Sequence, residues 1–196
     1  MENYYDVDSI LASEERVPVT FNCDAVGLGY LGAGSGKEED IAEGTRMELP
    51  FWLADRLIRK KIVSINLPKY YSQKYRNYLK ADPQSIDVRS ACPVYYTLGM
   101  RLAPWLGLDQ EGQEALKNDL VEALVERYFS VLDCSQNSKG DDNSDFIKPL
   151  TEEERLLFGL SFSSAVDYDK WKNRLHGKLQ VSSVMGNIRK KRKVAH

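Results

Sequence analysis

Gly27-Leu28-Gly29-Tyr30-Leu31-Gly32 spells the spacing GxGxxG, which in dinucleotide-binding folds lets backbone N–H groups approach a pyrophosphate. That chemistry needs a helix directly after the glycines, so that its first amides face the phosphates. Here Ala33-Gly34-Ser35-Gly36-Lys37-Glu38 follows, a sequence that reads as loop. The overlapping run Gly32–Lys37, GAGSGK, resembles a phosphate loop, yet Leu31 stands where its first glycine belongs. Glu38 replaces the Ser or Thr that would hold magnesium. The 27–44 segment, with six glycines and the acidic cluster Glu38-Glu39-Asp40, is therefore expected to be a linker that binds no nucleotide.

No other constellation suits catalysis. The two histidines, His176 and His196, lie near the C-terminus without the base-and-orienter context of a triad. Cys23, Cys92 and Cys134 are odd in number and far apart, which fits reduced thiols and not a disulfide framework or a paired zinc motif. Acidic pairs are frequent but form no carboxylate-rich pocket signature. The expectation is a chain that is not an enzyme and uses no cofactor and no metal.

Two features could meet polyanions. The segment Arg59–Lys80 carries seven basic and no acidic residues, and it interleaves Tyr71, Tyr75 and Tyr78 with Lys69, Arg76 and Lys80. Such a helix could stack on and neutralise nucleic acid, or it could pack its tyrosines and solvate its lysines. The terminal run Arg189, Lys190, Lys191, Arg192 and Lys193 has the density of a nuclear-import signal, which gives the expectation of a nuclear protein. Set against these, 27 basic and 29 acidic residues give a net charge of −2. Without the terminal run, 22 basic and 29 acidic residues leave −7. An acidic body argues against general nucleic-acid binding as the main task.

The elements that must position these residues follow from punctuation and periodicity. At 196 residues the chain suits one domain or two small ones, and no run approaches the ~20 apolar residues of a membrane span. Leu49-Pro50 and Leu67-Pro68 bracket an organising stretch, each proline suiting a helix start. Phe51, Trp52, Leu53, Leu57 and Ile58 predict a short helix with one apolar face. The alternation over Ile62–Leu67 predicts a strand to which Trp52 and Leu53 pin that helix. Upstream, Asp8 is expected to cap a short helix, Val17–Phe21 to form a strand that Pro18 places at an edge or makes irregular, and Thr45–Leu49 to form another. Downstream, helices are expected over Lys69–Lys80, over Ile86–Leu106 with a break near Pro93, and over Asp109–Asn137. The last of these places Leu116, Leu120, Leu124, Tyr128, Phe129 and Leu132 on one stripe. Thr151 and Glu154 form a capping box for a helix reaching Trp171 or Leu175. The fold class is α+β, mainly α. A small β-rich domain over 1–67 precedes a helical bundle over 68–188 and a basic tail over 189–196.

A resemblance adds to this reading. The run from Tyr5-Asp6-Val7-Asp8-Ser9-Ile10 through Glu15-Arg16-Val17-Pro18-Val19 resembles the opening of subunit 3 of the GINS complex, in the partner-of-Sld-five family. Glu48-Leu49-Pro50-Phe51-Trp52-Leu53-Ala54 is similar to that family's central signature. Leu67-Pro68-Lys69-Tyr70-Tyr71, Ala81-Asp82-Pro83, Tyr96 with Gly99, and Asp133-Cys134-Ser135-Gln136-Asn137 follow in the family's order. The likeness spans about Tyr4 to Trp171 plus the basic tail, while 27–44 and Asp141–Lys148 match poorly. It implies a non-catalytic scaffold within a heterotetramer of four related subunits. That complex joins the minichromosome maintenance ring and its cell-division-cycle partner as the replicative helicase (CMG), and helps couple it to the leading-strand polymerase. DNA contact would be indirect or weak.

From amphipathicity alone, Trp52, Leu53 and Leu57 are expected as inter-domain or partner-facing anchors. Tyr71, Tyr75, Leu120, Leu124 and Tyr128 are expected to serve the helical assembly. Two other classes stay open: a nucleic-acid-binding module using 69–80 and the tail, and a small enzyme with an unrecognised acidic site.

Overall fold

The computed structural model of the chain describes residues 5–31, 40–137 and 143–175. Helix α1 (Val7–Glu14) leads into strand β1 (Arg16–Phe21), and β2 (Arg46–Pro50) runs straight into α2 (Phe51–Arg59), followed by β3 (Val63–Ile65). Then come α3 (Gln73–Ala81), α4 (Val88–Ala91), α5 (Tyr95–Leu102), the long α6 (Gln110–Asn137), the single turn α7 (Ser144–Ile147) and α8 (Glu152–Lys172). The architecture is a small antiparallel sheet at the N-terminus followed by a helical bundle, as the residue patterns predict.

The sheet order is β2-β1-β3, so β1 is central and Pro18 does not sit at an edge. The ladder accommodates it by ending. β3 pairs only with Val19–Phe21, and beyond Ile65 the Asn66 N–H donates to the Pro18 carbonyl at 2.9 Å. Proline has no N–H to return that bond, so pairing stops there. The alternate residues Val17, Val19 and Phe21 of β1 and Val63 and Ile65 of β3 are buried, as a one-faced sheet requires.

Four local expectations are corrected. Asp6, not Asp8, occupies the N-cap of α1, and its side chain makes no cap bond. In α2 it is Phe51 and Ala54 that are buried. Trp52 is 48% exposed and Leu53, Leu57 and Ile58 are partly buried, so Trp52 does not pin the helix to the strand. The predicted 69–80 helix is two pieces. Lys69–Tyr71 is a 3-10 turn after Pro68, and Ser72 then adopts extended geometry and caps α3, its hydroxyl accepting from the Tyr75 N–H at 3.4 Å. Serine favours the cap over the helix interior because its oxygen competes for backbone donors. Finally, α6 buries Leu116, Leu120, Ala123, Arg127, Val131 and Ser135, while Phe129 is exposed. The buried stripe passes through an arginine where an apolar scan follows Leu124 and Tyr128.

One contiguous core runs from the sheet residues through Tyr71, Tyr95 and Tyr96 to Leu116, Leu120 and Ala123. At its centre the rings of Tyr71 and Tyr95 stack at 4.9 Å. The Tyr71 hydroxyl donates to the Tyr95 carbonyl at 2.6 Å, and the Tyr95 hydroxyl to the Tyr70 carbonyl at 3.0 Å. Buried phenols keep such partners because an unmet hydroxyl is costly in an apolar surround. A smaller cluster of Val131, Leu150 and Phe158 joins α6 to α8.

Candidate partner-binding surface

The capping box at the start of α8 does more than close a helix end. Thr151 and Glu154 exchange their reciprocal bonds, Glu154 N–H to Thr151 Oγ1 at 3.3 Å and Thr151 N–H to Glu154 Oε2 at 3.0 Å. The same carboxylate takes Arg127 Nε at 2.6 Å, Arg127 Nη2 at 3.0 Å and the Tyr96 hydroxyl at 2.8 Å. Arg127 also donates to the carbonyls of Pro83 and Ile86, which fastens the α3–α4 connection to the same point. Burial works against the arginine's charge, but the hydrogen bonds and charge of Glu154 outweigh it and hold its pKa above the ordinary value. A buried charge pair is tolerable only when satisfied in this way. Around it the α8 start docks on the α4–α5 turn, with Glu152 N–H donating to the Pro93 carbonyl at 2.9 Å and Thr97 N–H to Glu153 Oε1 at 3.0 Å.

This junction sets the register of two parallel helices. Arg127 meets Glu154, and Ser135 Oγ hydrogen-bonds Ser161 Oγ at 2.7 Å, so residue numbers rise together along α6 and α8. Among the described residues α6 runs to Asn137, near the level of Ser163, while α8 continues to Lys172. The last described turns of α8 thus extend past the last described residue of α6 by roughly 13 Å at 1.5 Å per residue. No α8 residue after Phe158 is buried among the described residues. The exposed face carries Leu156, Leu160, Tyr168 and Trp171, each more than half exposed. On α6, Val121, Val125 and Phe129 form a further exposed apolar row at four-residue spacing. Exposed apolar rows of this kind are a common feature of interaction surfaces.

The sequence candidates distribute unevenly over this geometry. Tyr71 and Leu120 are fully buried inside the chain and are not available to a partner. Tyr75 is half-buried against Tyr95, with ring centroids 6.2 Å apart. Leu53, Leu57, Leu124 and Tyr128 are partly buried, and Trp52 is half-exposed beside α1. Tyr78, which spacing alone would group with Tyr71 and Tyr75, is 55% exposed and lies under the Lys74 ammonium. The α8 row and the Arg127–Glu154 pair escape an apolar scan. The row has the character of core when helix partners are unknown, and the pair has the composition of two surface charges.

The basic helix is largely spoken for. Arg76 Nη1 lies 2.7 Å from Asp119, and Lys80 Nζ lies 2.7 Å from Asp119 and 3.3 Å from Glu122, all on α6. The glycine motif places Gly29–Leu31 in a 3-10 turn, and its base is closed by the Ala25–Ile41 bridge and a Gly27 N–H to Asp40 bond of 2.8 Å. The rest of that run, both histidines and the import candidates Arg189, Lys190, Lys191, Arg192 and Lys193 lie outside the described residues. Among the described residues no helix is long and apolar enough to cross a membrane.

Two family models divide this architecture. Residues 5–59, which hold α1, the sheet's first two strands and α2, match one described as the PSF3 N-terminal domain. Residues 70–172, from the tyrosine core to the end of α8, match the GINS complex protein helical bundle domain. The chain belongs to the GINS PSF3 family. Among curated PSF3 proteins it is 37% identical to "DNA replication complex GINS protein psf3" of Aspergillus fumigatus, an alignment covering 86% of this chain and 96% of the relative. It is 32% identical to "DNA replication complex GINS protein PSF3" of Mus musculus and 30% identical to that of Homo sapiens, each covering 97% of this chain and 90% of the relative. The PSF3 assignment makes the chain a DNA-replication GINS complex subunit, and the exposed α6 and α8 rows fall inside the GINS helical bundle domain.

Proposed function

We propose that the chain acts as a non-catalytic scaffold. In this reading it binds three other GINS subunits as a heterotetramer and, through that complex, serves the replicative helicase during initiation and elongation of DNA replication. The observation that carries the reading is the exposed apolar face of α8, on which Leu156, Leu160, Tyr168 and Trp171 are each more than half exposed. Obligate interfaces resemble a domain core cut in half, and a bundle helix with an uncovered apolar face offers such a half. The partners proposed for the assembled complex are the minichromosome maintenance ring, its cell-division-cycle partner and the leading-strand polymerase. Contact with DNA is indirect, since Arg76 and Lys80 already face Asp119 and Glu122.

Co-expression with the other three subunits tests the scaffold. Leu160→Glu combined with Trp171→Glu is expected to leave the circular dichroism spectrum unchanged while abolishing recovery of a stoichiometric complex. Recovery of all four subunits with the doubly charged variant would overturn the role given to α8. The nuclear site of action is proposed from the terminal basic run. Neutralising Arg189, Lys190, Lys191, Arg192 and Lys193 in a fluorescent fusion is expected to shift it to the cytoplasm, and an unchanged distribution would remove that role.

A further inference from the structure

A cleft of about 540 Å3 opens between α1, α2 and the end of α5, far in sequence from the assembly rows of α6 and α8. Arg56, Arg59 and Arg101 line it, with Asp55 its one carboxylate among the described residues, and Trp52 and Trp105 stand in its walls. Asp55 holds Arg59 through two bonds of 3.0 and 3.1 Å, and the guanidinium lies 5.2 Å from the centre of the Trp105 ring. Arg59 is thereby fixed in orientation, and its side chain is still 60% exposed. Arg56 is exposed and has no ion-pair or hydrogen-bond partner among the described residues. Arg101 braces the rim by donating to the carbonyl and hydroxyl of Ser9 at 3.2 and 2.6 Å.

Held guanidiniums beside aromatic faces suit planar carboxylates, because the fork matches two oxygens and the ring supports the cation. The lining is partly apolar as well, with Ile10 and Trp52 each about half exposed. We propose that this cleft is a docking site for an acidic peptide segment of a partner protein, its carboxylates on Arg56 and Arg59 and a neighbouring aliphatic side chain against Trp52 and Ile10. Charge complementarity selects that occupant over nucleic acid. The chain's net charge is −2, and −7 without the terminal basic run, so the cleft is a small basic spot on an acidic body. A continuous polyanion would meet that surrounding repulsion along its length, whereas a short segment needs only the spot.

The chain has three tryptophans, two of them in the cleft. Trp171→Phe removes the third and makes intrinsic fluorescence a local reporter. Titration of the full chain carrying that change with a short alternating glutamate–leucine peptide is expected to shift the emission and to weaken with added salt. Arg56→Gln with Arg59→Gln is expected to weaken binding roughly tenfold or more. Arg56→Gln alone, which leaves the Asp55–Arg59–Trp105 stack in place, is expected to weaken it several-fold with the free-protein spectrum unchanged. Equal binding of the glutamine–leucine analogue, indifference to Arg56→Gln, or tighter binding of single-stranded DNA of matched charge would each overturn the proposal.

Discussion

Arg127 on α6 and Glu154 on α8 face each other at 2.6 Å with side chains 5% and 1% exposed, and 27 residues of chain separate them. Each does a further job, the arginine closing carbonyls of the α3–α4 connection and the glutamate closing the first turn of α8. Removing one partner strands the other's charge in the interior. Arg127→Ala is expected to cost about 3–5 kcal/mol of unfolding free energy. Arg127→Met with Glu154→Leu is expected to cost less than the sum of its single changes, because no lone charge remains. Urea denaturation of the three variants measures this, and strict additivity would mean the two side chains do not act as a pair.

Two tyrosines on either side of Ser72 differ in a single atom's surroundings. The Tyr71 hydroxyl has its carbonyl partner at 2.6 Å, whereas the buried Tyr75 hydroxyl has no hydrogen-bond partner among the described residues. Tyr71→Phe is expected to destabilise by about 1–2 kcal/mol, since it loses a buried bond. Tyr75→Phe is expected to be neutral or slightly stabilising because it removes an unmet polar atom. Thermal unfolding of the two variants distinguishes the cases. A larger loss for Tyr75→Phe than for Tyr71→Phe would contradict this assignment.

Gly99 lets α5 approach the tyrosine core. A methyl group there would stand 2.6 Å from Leu120 Cδ1 and 2.9 Å from Tyr71 Cε1, both on fully buried side chains. Gly99→Ala is therefore expected to destabilise by about 1–3 kcal/mol despite alanine's better helix propensity. Gly159 on α8 meets nothing within 4 Å, so Gly159→Ala is expected to stabilise by a few tenths of a kcal/mol or more. Opposite signs for the two changes in chemical denaturation are the expected result.

Cys92 is buried, and burial pushes its thiol from 9.0 up to about 12. Cys23 is exposed. Alkylation near neutral pH should label Cys23 promptly and spare Cys92 until the protein unfolds, because the thiolate is the reacting form. Since the folded thiol keeps its proton above the unfolded value, its contribution is complete below about pH 9 and is lost as pH rises toward 12. Tyr71, Tyr95 and Tyr96, raised chiefly by burial, add to the same alkaline loss. Cys92→Ala should flatten the early part of that decline. An unaltered pH profile for this variant would show the thiol is not its source.

The chain's own residues determined the elements and much of their order. Proline and serine punctuation, the alternation in β1 and β3, and the Thr151–Glu154 box are local signals, each written within a few residues of the structure it specifies. Tertiary structure decided what local signals could not encode. Pro18 lies in the central strand because β3 is short enough to end beside it, a fact about a partner more than 40 residues away. Arg127 is buried because Glu154 meets it, and charge type alone predicts the surface. Leu160 and Trp171 have the apolar character of core residues, yet both are exposed, on the α8 face that α6 does not cover among the described residues. Whether an apolar residue becomes core or contact surface depends on the length and placement of the neighbouring helix, and no window of sequence around that residue contains it.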